Sequence, residues 1–223
     1  MKYHIIKRLF DILFSFMVII FLLPIFVPII IILLLTGEGE VFYMQKRVGR
    51  YDKKFKIYKF VTMVKNSSNI GDGIYTAEGD PRILPFGRFL RKAKINEMPQ
   101  IFNIFLGSMS FVGPRPLIFD TYDFYNNDVK SSISKLRPGA SGIGSIIFRN
   151  ESEILKKSDV TISEFYRKNI APYKGQLEVW YEKNISFFTD IKIIFLTVWV
   201  VVFPKSNLLF SLFNNLPEKP DYL

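Results

Sequence analysis

Residues 12–36 read ILFSFMVIIFLLPIFVPIIIILLLT, a run with no charged residue that is long enough for one bilayer crossing at roughly 20 residues. It is too long for the apolar core of a cleaved signal, and the following LLLTGEGE offers no small-residue cleavage site. Its flanks decide between the remaining topologies. Lys2, Lys7 and Arg8 precede it, and Lys46, Arg47, Arg50, Lys53 and Lys54 follow it. Positive residues mark the cytoplasmic side, so both ends belong on the same side. A straight span does not allow that, whereas a helix broken within the membrane does. Pro24 and Pro28 stand near the middle, each removing a backbone donor. The expectation is a re-entrant helix-break-helix over residues 1–36, followed by a cytoplasmic domain over residues 37–223. Asp11, just ahead of the run, is expected to face the polar interface or to pair with Arg8, because a lone carboxylate in lipid is costly.

The bulk composition agrees with a membrane element attached to one domain. Of 223 residues, 49% are hydrophobic, and phenylalanine alone occurs 23 times. A net charge of +10 calls for an anionic partner: nucleic acid, lipid head groups or a phosphorylated substrate. Nucleic acid is set aside, since no helix-turn-helix, zinc spacing or aromatic sheet signature accompanies the charge. The chain has no cysteine, which excludes disulfides and thiolate chemistry. Its single histidine, His4, excludes a histidine-based triad and a multi-histidine metal site. Any metal is therefore held by oxygen, which favours magnesium over zinc.

Beyond the apolar run, FKIYKF reads as a strand and GRYDKK as the turn of a small hairpin within residues 40–63. Residues 66–79 read as a polar loop. A helix is expected over residues 86–93, with a second over 97–106 that tolerates Pro99 only in its first turn. Residues 122–136 read as a polar helix or loop, and Arg137-Pro-Gly and Ser141-Gly-Ile-Gly as turns. Helices are expected over 162–173 and 178–203. In the last of these, residues 193–203 are too short to span. With Trp199 and the flanking Lys192 and Lys205 they suit either a helix lying in the interface or burial in the core.

The densest chemistry lies in residues 82–116, RILPFGRFLRKAKINEMPQIFNIFLGSMSFVGPRP. Four arginines and two lysines surround the polar pair Asn96-Glu97, and a stiff Gly-Pro-Arg-Pro closes the stretch. The planar fork of arginine matches two phosphate oxygens at once, so Arg88, Arg91 and Arg115 are the candidate phosphate-binding residues. Arg88 and Arg91 are three apart on one helix, and Arg115 is fixed between two prolines. A solvated basic face is the alternative for Arg88 and Arg91. By spacing alone, Glu97 reads as a helix amino-terminal acid with Asn96 as its cap.

The order KRLFD, a long apolar run, VFYMQKRVGR, FKIYKF-TM, DPRI-PFGRFLRK, NEMPQIFNIFLGSMSFVGPRPL and LRPGASGIG resembles the bacterial sugar transferase family. More narrowly, it is similar to the small monotopic polyprenyl-phosphate hexose-1-phosphate transferases. The similarity is colinear from about Lys7 to Gly144. It implies a mainly α, membrane-associated fold with a re-entrant amino-terminal helix, interfacial amphipathic helices and a small β-hairpin. It further implies transfer of a sugar-1-phosphate from a UDP-sugar to undecaprenyl phosphate with Mg2+, releasing UMP. That is the initiating step of capsule, O-antigen or glycoprotein glycan assembly at the inner face of a bacterial cytoplasmic membrane. Membrane lipids, and conceivably a second copy of the chain, are the further partners.

By position, Arg91 and Arg115 match active-site arginines of that family, and Glu97 matches the second acid of its Asp-Glu dyad, a catalytic and metal-binding residue. The departure is Asn96, which stands where the family places the nucleophilic aspartate. Ser108 and Val61 replace an aspartate and an arginine common in the family's blocks. Three readings follow: a transferase with altered chemistry, a non-catalytic relative that keeps the phosphate-binding shell, and a generic membrane-surface binder. The identity of the sugar is not legible in these residues.

Overall fold

The computed structural model describes residues 2–67, 79–156, 161–204, 206–213 and 215–223. The polar loop expected over residues 66–79 lies mostly outside them. The chain is mainly helical with two small sheets. Its compact units do not follow chain order. One comprises Met1–Asp11, Lys46–Phe55 and Gly107–Leu223, and the other Ile12–Gln45 and Lys56–Leu106.

Helix α1, Lys2–Leu35, is one continuous element with Pro24 and Pro28 inside it. The expected break does not interrupt it. Each proline removes a single ladder hydrogen bond, and the leucines, isoleucines and phenylalanines on either side sustain the helix. Among the described residues it is the one helix long and apolar enough to cross a membrane. Asp11 is not paired in the expected way. It is 1% exposed and accepts hydrogen bonds from the Ser110 hydroxyl (3.1 Å) and the Phe111 backbone N–H (3.2 Å).

Strands β1 (Phe42–Val48) and β2 (Lys54–Phe60) form the hairpin expected from FKIYKF and GRYDKK, and its part in the second-named unit packs against the part of α1 that belongs there. Phe26 meets Phe60 edge-on at 5.2 Å, and Phe42 stacks on Phe60 at 5.7 Å. Helix α2 (Pro85–Lys92) opens on a proline, where the missing N–H costs nothing. It lies directly on the chain leaving β2. A Cβ at Gly87 would overlap the Thr62 backbone, and the Leu84 N–H donates to the Thr62 carbonyl at 3.0 Å. A 3-10 turn over Ile95–Glu97 then precedes α3 (Gln100–Leu106). The expected helix over 97–106 therefore starts after Pro99, and Asn96 caps nothing.

The other unit holds the larger core, centred on Ile143, Ile170, Leu177, Ile193 and Leu196. Strand β3 (Ser110–Val112) pairs in parallel with β4 (Gly139–Ser141), placing Ser110 opposite Gly139 and Val112 opposite Ser141. The sequence reads residues 137–144 as turns, and the structure corrects this. Gly139 is required because its Cα passes against the Gly113 backbone, where any Cβ would collide. Helices α4 (Phe119–Tyr122), α5 (Asn127–Ser134), α6 (Ile143–Ile147), α7 (Glu151–Lys156) and α8 (Ile162–Phe165) follow. A π-turn over Tyr166–Ile170 leads into α9 (Ala171–Lys183), and α10 (Phe187–Val202) and α11 (Leu208–Leu212) complete the unit.

The single helix expected over 178–203 is thus two. Asn184 folds its side chain back onto the Trp180 carbonyl (2.8 Å), and Ser186 restarts the helix by capping the Thr189 N–H (3.1 Å). Helix α10 buries one face of its apolar stretch in the core and leaves another exposed. Ile193 and Leu196 are fully buried, while Ile191, Phe195, Val198 and Val202 form an exposed apolar stripe at helical spacing.

Candidate active site

Four of the five candidate residues fall in one unit. Arg88 and Arg91 sit on α2, and Asn96 and Glu97 on the 3-10 turn that follows. The chain enters that turn through Lys94 in the left-handed region, at φ +59°. A non-glycine residue rarely adopts that conformation without packing to hold it. Here it lets the backbone reverse within two residues of the end of α2, which brings the carboxylate of Glu97 back toward β2.

The partner on β2 is Lys59, whose Nζ lies 2.7 Å from Glu97 Oε1. The pair is partly exposed, so it remains open to a ligand. Strand and turn are registered by Asn103 on α3. Its Oδ1 accepts the Tyr58 N–H (2.9 Å), and its Nδ2 donates to the Lys56 carbonyl (2.7 Å). An asparagine 1% exposed thus acts as an extra strand residue against the edge of β2, fixing the backbone on both sides of Ile57. Lys59 and Asn103 do not stand out in the sequence, where FKIYKF reads only as an amphipathic strand. Alternation gives no signal for Lys59, which follows Phe55 and buried Ile57 on the same face of the strand.

The two arginines of α2 differ. Arg88 is exposed and carries no ion pair among the described residues. Arg91 is half-buried, and burial lowers its pKa against the opposing charges of Asp80 and Glu97. Behind it, Asp80 and Arg82 form a buried ion pair, with Arg82 Nη2 2.6 Å from Asp80 Oδ2. These hydrogen bonds hold the Asp80 carboxyl at about 2. Arg82 also donates to the Ser67 carbonyl at 2.7 Å, tying down the chain after β2. The side chain of Asn96 is half-buried and makes no hydrogen bond among the described residues.

Arg115 belongs to the other unit. It is exposed, and each peptide around it is held. The Gly113 N–H donates to Ser141 (2.9 Å), the Gly139 N–H to Pro114 (2.8 Å), and Arg47 Nη1 to the Pro116 carbonyl (3.3 Å). Between two prolines, Arg115 has the only backbone N–H of the Pro-Arg-Pro stretch. That N–H is directed to the carboxyl of Glu178 on α9. Glu178 is 5% exposed, and Gly144 leaves room for it. Burial pushes its pKa up to about 7, opposed by Lys174 and the Arg115 N–H.

The donor set also bears on a metal. Among the described residues no three acidic or histidine side chains gather, so no protein-built cage exists. Magnesium needs less: it binds through one or two carboxylates and completes its shell with water and substrate phosphates. Glu97, partly exposed among cations that would receive phosphate, fits that second arrangement.

This chain belongs to the bacterial sugar transferase family, whose model matches residues 2–204. It is 34% identical over 211 residues to an undecaprenyl-phosphate galactose phosphotransferase of Salmonella typhimurium, covering 88% of this chain and 40% of that protein. It is 32% identical to a UDP-glucose:undecaprenyl-phosphate glucose-1-phosphate transferase of Klebsiella pneumoniae, covering 90% and 41%. The chain thus spans about two fifths of the length of these relatives. With an uncharacterized sugar transferase of Bacillus subtilis it shares 33% identity, covering 87% of this chain and 86% of the other.

Proposed function

We propose that this chain transfers a sugar-1-phosphate from a UDP-sugar to undecaprenyl phosphate on the cytoplasmic face of a bacterial membrane, releasing UMP. The observation that carries this reading is the Lys59–Glu97 pair set beside half-buried Arg91, within a family whose relatives carry that activity in their names. In the transfer, an oxygen of the acceptor phosphate forms a bond to the sugar-bearing phosphorus, and the bridging P–O bond to UMP breaks. The acceptor monoester is already anionic near neutral pH, so it needs no base. Lys59 and Arg91 lie where they can neutralise charge developing on the phosphoryl oxygens. Magnesium held through Glu97 and the diphosphate would supply further charge neutralisation. Membrane attachment is supported by the apolar length of α1 and the exposed stripe of α10; the basic residues on both sides of residues 12–36 favour a re-entrant course, which the unbroken helix allows only through a bend at Pro24 and Pro28.

Asn96 favours a second reading. An amide carries no charge and is a poor nucleophile, so a route through a covalent phosphosugar on residue 96 is closed. The chain transfers directly, transfers with the Glu97 carboxylate as nucleophile, or does not transfer. The deciding experiment is UMP release by the membrane-reconstituted protein with undecaprenyl phosphate, magnesium and a panel of UDP-sugars, beside Glu97→Ala and Asn96→Asp. Release by the native chain, abolished in Glu97→Ala, is the expected result. Release only in Asn96→Asp would identify a non-catalytic relative lacking its nucleophile.

A further inference from the structure

A second cluster of cations, using none of the candidate residues above, lines a shallow open cleft in the unit that contains the chain start. His4 and Lys7 of α1, Arg50 from the hairpin turn, and Lys135 and Arg137 ahead of β4 face it, with Tyr181 at its wall. The two lysines have acidic partners. Lys7 lies 2.5 Å from Asp190, and Lys135 lies 3.4 Å from Glu182. The two arginines do not. Arg50 donates through Nε to the Lys135 carbonyl (2.8 Å) and stacks on Tyr51, and Arg137 donates through Nε to the Gly107 carbonyl (3.0 Å). Neither has a carboxylate partner among the described residues.

Two guanidinium groups facing one cleft repel each other. Burial and the charges of Arg50 and Arg8 lower the pKa of Arg137, and Asp11 and Tyr51 act against them. A bound dianion or monoanion would remove that repulsion and satisfy the forked donors bidentately. The position of the cleft narrows the ligand. His4 and Lys7 lie on the same helix, a few residues ahead of the apolar run, and the side chains of Ile5, Ile6 and Leu9 beside them are exposed.

We propose that this cleft binds the phosphate of an anionic lipid head group, with Arg50 and Arg137 as its principal contacts. The site anchors the start of α1 at the head-group level and does not depend on the catalytic reading, since Arg88, Arg91, Asn96, Glu97 and Arg115 take no part.

The test is the melting temperature of the full chain in neutral detergent. It is measured with short-chain phosphatidylglycerol, with short-chain phosphatidylcholine and with inorganic phosphate. Ligand well above its dissociation constant stabilises by about 3 kcal/mol, or about 5 °C or more for a chain of this size. Phosphatidylglycerol is expected to give that rise. The Arg50→Gln/Arg137→Gln variant is expected to lose it while melting no lower than the native chain without ligand. Lys53→Gln/Lys54→Gln, with the same charge removed, should keep it, and Arg50→Gln alone serves if the double variant does not fold. An equal rise in the arginine variant, or no rise in the native chain, overturns the site. A full rise with inorganic phosphate overturns its assignment to lipid.

Discussion

Lys59 and Glu97 illustrate how little separates a structural ion pair from a phosphate site. A partly exposed pair contributes at most about 1 kcal/mol to stability, so its energetic value lies in what it does to a ligand. Removal of one preorganised charge from a transfer site typically slows the chemical step by a factor of roughly 100 to 1,000. Lys59→Ala is therefore expected to lower the turnover number of UMP release by about that factor, with the melting temperature nearly unchanged and partial recovery in Lys59→Arg. A large fall in melting temperature with intact turnover would make the pair structural.

Glu178 gives the opposite case, a residue whose ionisation works against the fold. Its pKa is raised to about 7 in the folded chain from 4.5. Between those values the unfolded chain has lost the proton and the folded chain keeps it, so stability falls as pH rises from about 4.5 to about 7 and is flat above. The loss is on the order of 3 kcal/mol. Glu178→Gln should match the native chain near pH 5 and exceed it near pH 8, as read by thermal melts in detergent. Parallel melting curves for the two proteins across that range would contradict the assignment.

Among the elements, the hairpin and α2 were legible because each carries a local signal: alternation in FKIYKF, a proline at the first position of a helix, arginines three apart. The elements missed were those decided by distant backbone. The β3–β4 pairing depends on Gly113 meeting Gly139, and Arg137-Pro-Gly has no strand-like alternation to announce it. The merged helix over 178–203 reflects the same limit, since the break rests on two side-chain caps at Asn184 and Ser186 within an otherwise helical composition. Of the candidate residues, Arg91 and Glu97 were singled out in the sequence by their type and spacing. The ion pair was not, because the distance between Lys59 and Glu97 in sequence is closed by tertiary contacts, those of Asn103 with β2 and of Gly87 with Thr62 among them. Asn103→Ala would leave the Tyr58 N–H and Lys56 carbonyl without their partner, each costing about 1–3 kcal/mol when buried. A destabilisation of about 3 kcal/mol is expected in urea titration, with loss of turnover because β2 no longer holds Lys59 in place. A near-neutral Asn103→Ala would mean that the strand edge is registered by other contacts.

For the molecule as a whole, the question is which force would hold it to a bilayer. Its charge of +10 and its exposed apolar side chains both favour attachment, but they respond differently to salt. Attraction between surface charges and anionic lipid is screened over about 10 Å at 0.1 M salt and about 3 Å at 1 M. Burial of apolar surface is not weakened in that way, and each large side chain contributes roughly 1.5–3 kcal/mol when fully buried. Leu13, Phe16, Met17, Ile20 and Phe21 on α1 are all more than half exposed in the isolated chain, so α1 alone outweighs the screened term. The expected outcome is that 1 M salt abolishes any preference for anionic over neutral vesicles and leaves the protein attached to both, with release only by detergent. Release into the soluble fraction by salt would show that charge holds the chain to the surface and that residues 12–35 are buried in some other way, against protein rather than lipid.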